Sequence, residues 1–315
     1  MPTATASTKS LSAAEAANRI KGSCTALLTP FKDGKVDAAG FQRFCEWQIQ
    51  QGTDGLVPVG TTGEAPTLSH EEHKYVIELC VKAAKGRVPV IAGAGSNSTE
   101  EAIELTRFAK AAGADAVLHS TGYYNQPTQD GLYRHFKAIN DAVDIPIIVY
   151  NVPIRTIVDI SAATMARIGG LKHFAGIKDA TANPARESQH RALIQKPYTA
   201  LSGEDSTALG YNAHGGTGCI SVTSNIAPKL CAAFQKACTD GDYKTARALH
   251  DQLMPLHDAL FIETNPAPVK YAAWRLGVID SPECRLPLAP LTDATQKAVD
   301  AALAKAGLLK AKAAE

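Results

Sequence analysis

Several features that mark particular protein classes are missing from this sequence. No apolar run approaches the roughly 20 residues needed to span a bilayer, and no block of basic residues stands out. The 32 Lys and Arg residues nearly balance the 31 Asp and Glu residues, which leaves a formal net charge of +1. We therefore expect neither a membrane nor a nucleic acid as a partner.

Disulfide and metal frameworks are missing as well. The seven cysteines form no C-x-x-C pair, a pattern typical of free thiols in a reducing compartment, and it favours a cytoplasmic protein. None of the nine histidines stands at ligand spacing with a cysteine or another histidine. The nearest pair, His70 and His73, lacks a third ligand, so the sequence predicts no metal centre.

What the sequence does contain is a regular alternation of short apolar runs and longer amphipathic segments. Hydrophobic residues make up 45% of the 315 residues, enough for a large core. Eight runs are too short for helices, are apolar on both faces and end on polar or glycine residues, as buried parallel strands do. These runs are 24–29, 55–60, 89–95, 116–121, 146–151, 174–179, 198–204 and 218–224.

Helix signals fill the intervals between these runs. Two capping boxes, Ser69-x-x-Glu72 and Ser98-x-x-Glu101, predict where two of the helices begin. Eight strand–helix units in about 200 residues match a (β/α)8 TIM barrel. The competing doubly wound sheet usually carries a glycine fingerprint in its first turn, which this sequence lacks.

The sequence thus predicts an α/β protein built on a TIM barrel with a C-terminal helical extension. We expect a loose N-terminal tail over residues 1–21, because this stretch is rich in Ala, Ser and Thr and has no apolar segment. The barrel is predicted over residues 22–240. Helical patterns without further strands then predict the extension over residues 241–315.

Lys178 is the most unusual residue at the predicted strand ends, where the active site of a TIM barrel lies. It stands inside an apolar strand, and those ends offer no His or Cys nucleophile. The ordinary interpretation, a lysine that reaches water or pairs with Asp179, is the commoner case on spacing alone. The functional interpretation is that burial favours the neutral amine, which can add to a ketone and form an imine.

Nearby strand ends carry groups that imine chemistry needs. Tyr150 ends the preceding strand and could move protons at Lys178. Thr61 and Thr62 stand between glycines, in a loop suited to holding a carboxylate, and Arg155 could clamp a second carboxylate. Each also has an ordinary interpretation, namely an interfacial tyrosine, a simple turn and a surface arginine.

The motifs GTTGE, YYN-x-P, YNVP-x-R-T, GIKDA, SGED and GCISV occur in that order. Together they resemble the dihydrodipicolinate synthase branch of the N-acetylneuraminate lyase superfamily, from about residue 22 into the C-terminal helices. The resemblance implies a lyase of lysine and diaminopimelate biosynthesis. It would join pyruvate to L-aspartate 4-semialdehyde through an imine on Lys178 and release 4-hydroxy-tetrahydrodipicolinate, with no cofactor.

The resemblance also implies a proton relay of three hydroxyl residues. Thr62, Tyr150 and Tyr124 match the family's relay positions. Tyr124 would reach the site from a neighbouring subunit of a homotetramer that is a dimer of dimers. One departure from the family pattern is Gly122, which stands where a proline usually precedes the tyrosine pair and frees the backbone there.

Substrate-binding residues follow from the same resemblance. Thr61 and Thr62 would hold the pyruvate carboxylate, and Arg155 would receive the carboxylate of the semialdehyde. Gly203 and Ile220 would line the pocket. The arginine favours the synthase over the sugar-acid lyases of the superfamily, although Ile154 before it departs from the usual small residue.

Two other functions stay open at this point. One is another pyruvate-dependent class I aldolase or dehydratase that acts on a 2-oxo-3-deoxy acid or a hydroxy-oxo-glutarate. The other is a non-catalytic sensor of 2-oxo acids. The sensor would need a broken relay, whereas Lys178 and all three relay residues are present.

A regulatory site is the last expectation. Lysine-inhibited relatives bind L-lysine in a cleft at the dimer interface, through residue types that this sequence also has at His70, His73, Asn97, Glu101 and Tyr123. The resemblance therefore implies feedback inhibition by L-lysine. The alternative is that Glu101 only caps its helix and that the histidines are solvated.

Overall fold

A closed barrel of eight parallel strands forms the centre of the computed structural model, which describes residues 11–309. The barrel strands are β1 Gly22–Ala26, β2 Gly55–Val57, β3 Ile91–Gly93, β4 Ala116–Ser120, β5 Ile147–Asn151, β6 Phe174–Asp179, β7 Thr199–Ser202 and β8 Gly218–Ser221. Each lies within or overlaps one of the eight apolar runs. They follow one another in the order β2-β1-β8-β7-β6-β5-β4-β3, and a parallel bridge between Leu56 and Val90 closes the last seam. The prediction of a TIM barrel is confirmed.

Helices cover the outside of the barrel and continue beyond it. Those before the extension are α1 Ala13–Arg19, α2 Ala38–Gln50, α3 His70–Ala84, α4 Thr99–Ala112, α5 Gln129–Ala142, α6 Pro153–Thr156, α7 Ala162–Gly169, α8 Ala185–Leu193, α9 Ala208–Ala213 and α10 Pro228–Thr239. The extension contains α11 Tyr243–Ala259, α12 Ala267–Arg275 and α13 Asp293–Lys305. A short antiparallel hairpin, which the sequence did not predict, pairs Phe31–Lys32 with Lys35–Val36.

The structure of the N-terminal segment contradicts part of the expected loose tail. Residues 13–19 form helix α1, so their assignment to a loose tail was wrong, while residues 1–10 lie outside the described part of the chain. Ser12 and Glu15 make a capping box that starts this helix. Ala16 and Ile20 lie four residues apart on one face and are fully buried in the same cluster as the barrel interior. The helix forms because it covers apolar side chains that the barrel would otherwise expose.

The core has two layers because side chains alternate along each strand. Residues such as Ile148, Leu201 and Ile220 point into the barrel and form the inner cluster. Their chain neighbours, such as Val149 and Cys219, join the larger outer cluster between strands and helices. The alternation therefore decides which strand-end residues face the barrel interior. Among residues 11–309, no helix is long and apolar enough to cross a membrane.

Candidate active site

Lys178 faces the interior of the barrel. Its neighbour Ile177 packs in the outer cluster, so alternation turns the lysine inward. In the strand register Lys178 lies beside Tyr150 on one side and Leu201 on the other, and both of these residues belong to the inner cluster. The lysine Nζ stands 4.0 Å from the centre of the Tyr150 ring. The structure thus brings together the two residues that the sequence singled out for imine formation.

Among the described residues, the amine of Lys178 has no ion-pair partner. The residue is 6% exposed, and within residues 11–309 no carboxylate oxygen lies within 4.0 Å of its Nζ. Asp179, the partner considered from the sequence, turns to the outer side of the barrel and bonds to Arg186 at 3.1 Å. A buried amine beside an aromatic face, with no pairing carboxylate, can add to a carbonyl group once it has lost its proton.

The carboxyl group of Glu204 also lies near this amine. Burial raises its pKa, and repulsion from Asp205 adds to that effect. A hydrogen bond from Ser206 and the charge of Lys178 act in the opposite direction. Since the net direction is upward, Glu204 holds a proton more readily than an ordinary glutamate does.

The loop of residues 60–64, here called the threonine loop, follows strand β2 and forms a compact turn. Gly63 N donates to Gly60 O at 3.1 Å, and the Thr62 side chain is buried. Asn265 Nδ2, from the C-terminal extension, donates to Thr62 Oγ1 at 3.1 Å. That asparagine is 4% exposed, and its Oδ1 has no hydrogen-bond partner within residues 11–309. Its role was not predicted, because only the fold brings a residue 203 positions away to this threonine.

The same turn carries unusual backbone angles. Val59 has a φ of 50° and Glu64 a φ of 55°. Positive φ is a true outlier for a β-branched residue such as valine. Strained backbone of this kind persists where surrounding contacts hold it, and it concentrates at functional sites.

Gly203 lies next to the lysine, and Ile220 faces the barrel interior. A Cβ added to Gly203 would stand 3.1 Å from Lys178 Cε and 2.8 Å from Ala180 Cβ. Only glycine therefore leaves room for the lysine side chain at this position. Ile220 is 1% exposed and belongs to the inner cluster.

Tyr124 and Arg155 are solvent-exposed in the single chain. Tyr124 is 91% exposed and has a φ of 70°. Gly122 has no positive φ, and the left-handed residues of this loop are Tyr124 and Gln126, whose φ is 44°. Arg155 lies in the short helix α6, next to Ile154, which is 88% exposed. The structure does not bring Tyr124 into contact with Lys178 of the same chain.

Four of the five residues expected at a lysine site form two hydrogen-bonded pairs. His70 Nε2 and Glu101 Oε1 are 2.8 Å apart, and Asn97 Nδ2 donates to Tyr123 O at 3.3 Å. His73 is buried, with its Nε2 2.8 Å from Gly93 O, and burial lowers its pKa. The expectation that both histidines could be solvated is therefore wrong for His73, which the strand end holds.

A buried ion pair links the threonine loop to the C-terminal extension. Lys270 Nζ contacts Glu64 Oε1, and their side chains are 0% and 1% exposed. The same ammonium lies 3.9 Å from the centre of the Phe31 ring and donates to Glu283 O at 2.8 Å. This pair was not predicted, although a lysine within the apolar stretch of α12 is the signal that could have indicated it. Within residues 11–309, no group of three His, Cys, Asp or Glu side chains could hold a metal ion.

Comparison with known proteins agrees with this geometry. The family model for the dihydrodipicolinate synthetase family matches residues 19–306. A 4-hydroxy-tetrahydrodipicolinate synthase of Parvibaculum lavamentivorans is 65% identical over 289 residues, which cover 92% of this chain and 99% of that protein.

Solved structures give the same result. A chloride-inhibited dihydrodipicolinate synthase from Acinetobacter baumannii, in complex with pyruvate, superposes with a TM-score of 0.90 and 46% identity, covering 92% of this chain and 100% of the other. The Cyanidioschyzon merolae enzyme with lysine bound gives a TM-score of 0.88 at 34% identity, over 92% and 99% of the two chains. The chain therefore belongs to the dihydrodipicolinate synthetase family.

Proposed function

We propose that this chain, a lyase of its family, condenses pyruvate with L-aspartate 4-semialdehyde and releases 4-hydroxy-tetrahydrodipicolinate. The observation that carries the proposal is the buried, unpaired amine of Lys178 with its Nζ 4.0 Å from the centre of the Tyr150 ring. An amine that is not neutralised by a carboxylate can become the nucleophile when it loses its proton.

The first half of the reaction makes a carbon nucleophile. The Lys178 amine adds to the ketone carbon of pyruvate, and the resulting carbinolamine loses water to form an imine. The iminium nitrogen then accepts electrons as a methyl proton leaves, which yields an enamine. Tyr150, Thr62 and a Tyr124 side chain would carry these protons. No cofactor is needed, because the lysine itself serves as the electron sink.

The second half joins the two substrates. The enamine carbon attacks the aldehyde carbon of the semialdehyde, whose oxygen gains a proton and becomes the hydroxyl of the product. The substrate amine then displaces Lys178 from the imine carbon, which closes the six-membered ring. Thr61 and Thr62 would hold the pyruvate carboxylate, with Gly203 and Ile220 lining the pocket.

Arg155 is proposed to receive the carboxylate of the semialdehyde. Its guanidinium is exposed, and within residues 11–309 no acidic side chain pairs with it. An unpaired guanidinium can bind a carboxylate through two parallel hydrogen bonds. Arg155 would therefore distinguish the semialdehyde from a polyol substrate.

The exposure of the Tyr124 side chain supports an enzyme of several subunits. A tyrosine that is 91% exposed in the single chain cannot contribute to the site of that chain as it stands. We propose that it completes the relay of a neighbouring subunit in a homotetramer. An exposed aromatic side chain at a subunit interface also buries apolar area on assembly.

Feedback inhibition by L-lysine is the regulatory part of the proposal. Glu101 offers a carboxylate to the ligand ammonium, and the Asn97 amide N–H groups together with His73 would hold the ligand carboxylate. Binding there would couple to the active site, which lowers the rate when lysine is abundant.

Borohydride trapping tests the catalytic proposal. Incubation with pyruvate and sodium borohydride, followed by peptide mapping, should place a reduced pyruvate adduct on Lys178. A Lys178→Arg variant should gain no adduct. The control Lys172→Arg changes an exposed lysine in the connection that leads from α7 into β6, and it should be labelled like the parent chain. An unmodified Lys178 peptide in the parent chain would refute the Schiff base.

Rates then identify the second substrate. Aspartate semialdehyde should be consumed far faster than a 2-oxo-3-deoxy acid or a hydroxy-oxo-glutarate is cleaved. The reverse order would assign the chain to another reaction of this superfamily. Trapping without turnover of any of these substrates would indicate a sensor.

Calorimetry tests the lysine site. The parent chain should bind L-lysine and lose initial rate, and Glu101→Gln should weaken both effects. Glu100→Gln alters the adjacent, exposed carboxylate and is the matched control. Absence of binding heat together with unchanged rates at saturating lysine would end this part of the proposal.

A further inference from the structure

Arg186 connects the strand end that carries Lys178 to the loop that carries Arg155, and it hydrogen-bonds to neither of these two residues. It lies near the start of helix α8, and its side chain is only 11% exposed. Its guanidinium donates in three directions, to Asp179 Oδ2 at 3.1 Å, to Asp159 Oδ2 at 3.0 Å and to Ile160 O at 2.5 Å. Only arginine offers five N–H donors in one rigid plane.

One side of this connection is the strand end that carries Lys178. Asp179 is the next residue on β6 and is 3% exposed. Its second oxygen accepts hydrogen bonds from the Thr181 backbone at 3.0 Å and from the Thr181 hydroxyl at 2.5 Å. The carboxylate is therefore held at both oxygens and gives the guanidinium a fixed anchor on β6.

The other side is the end of the loop that carries Arg155. Asp159 and Ile160 close this loop before helix α7 begins. Asn151, which follows Tyr150 on β5, donates to Asp159 Oδ1 at 2.7 Å and accepts from Ile160 N at 3.1 Å. The loop is thus bound to β5 through an asparagine and to β6 through the arginine.

We propose that Arg186 is a positioning residue that fixes the Arg155 loop against the strand end of Lys178 and thereby sets the affinity for the second substrate. Arg155 lies on the loop that Arg186 closes. Lys178 and Arg155 must hold one carbon nucleophile and one carboxylated aldehyde at reacting distance. Misplacement by about 1 Å, far from the reacting atoms, can cost on the order of a hundredfold in rate. The proposal rests on the function proposed above.

The specific expectation is a split between the two substrates. Arg186→Met should raise KM for aspartate semialdehyde about tenfold or more and should lower the rate constant for capture of the enamine. Formation of the pyruvate adduct on Lys178 precedes that step, so the yield of borohydride trapping should stay within twofold of the parent chain. Arg186→Lys keeps the charge but cannot donate in three directions, and should recover only a minor part of the loss.

A double variant tests the route of the effect. If Arg186 acts through Arg155, adding Arg186→Met to Arg155→Met should change kcat/KM by less than twofold, because the target of its positioning is already gone. Multiplication of the two single effects would overturn the proposal. Arg167→Met is the matched control, since Arg167 makes an ordinary ion pair with Asp130 at the surface, and it should alter no parameter.

Hydrogen exchange measures the loop itself. Backbone amides of residues 152–160 should exchange faster in Arg186→Met than in the parent chain or in Arg167→Met, while those of β6 and β7 should not change. Equal exchange in all three chains would overturn the proposal. If the parent chain does not consume aspartate semialdehyde, the proposed function fails, whereas exchange still decides whether Arg186 holds the loop.

Discussion

The buried pair of Lys270 and Glu64 allows a quantitative prediction. Replacing Lys270 by methionine keeps the side-chain volume but leaves the Glu64 carboxylate buried without its counter-charge. The Arg285 backbone amide, at 2.9 Å from Oε2, still donates to it. Breaking a buried pair by removing one partner typically costs about 3–5 kcal/mol. Both side chains are at most 1% exposed, so solvent screening does not reduce this magnitude.

The double variant Glu64→Gln with Lys270→Met sharpens the expectation. It removes both charges, so no buried ion remains unpaired. Its loss of unfolding free energy should be smaller than the sum of the two single losses by about 2–3 kcal/mol, in line with contacting residues in one network.

Urea unfolding followed by circular dichroism measures these differences. All variants must be compared at one protein concentration, because assembly adds to apparent stability. Lys236→Met is the control, since that lysine pairs with Asp240 at the surface, and its midpoint should not move. A Lys270→Met midpoint as high as that of the control, or strictly additive single losses, would contradict the reasoning.

Three further predictions concern single side chains. Gly203→Ala should lower kcat/KM by about a hundredfold with unchanged circular dichroism, because the new Cβ displaces the Lys178 side chain. Asn265→Ala should lower kcat about tenfold, since it removes the hydrogen bond to Thr62, while thermal unfolding should change little. Burial raises the pKa of Glu187 from 4.5 to about 7. The folded state favours the protonated carboxyl of Glu187. The stability that this preference contributes is complete below pH 4.5 and is lost as pH rises through 7. Glu187→Gln should remove this pH dependence, so its free energy of unfolding in urea should exceed that of the parent chain by an amount that grows from pH 4.5 to 8 and reaches up to about 3 kcal/mol. A constant difference across that range would refute the assignment.

The barrel was predictable because its signals are local. Eight runs that are apolar on both faces, each followed by an amphipathic helix, are compatible with few other architectures. The N-terminal helix was missed for the opposite reason. Its seven residues bury only Ala16 within the helix and Ile20 just after it, a stripe too short to distinguish from a tail until the barrel that it covers is present.

The site divides in the same way. Residues at strand ends, such as Lys178 and Tyr150, could be located from the sequence, because the period of two and the order of the strands place them side by side. Asn265 and Lys270 could not be, since they reach the threonine loop from the extension, more than 200 positions away. Arg186 likewise looks like a surface arginine in the sequence.

By itself, the sequence determined the barrel, the residues that lie at its strand ends and the chemistry that those residue types can perform. It did so because the alternation of short apolar runs with amphipathic helices is a local signal, and the parallel strands of a barrel all end at the same face. Only the tertiary structure decided that Asp179 pairs with Arg186 and that Glu64 pairs with Lys270. Those choices depend on which distant charges meet in a space with little water, where an ionised group needs a partner.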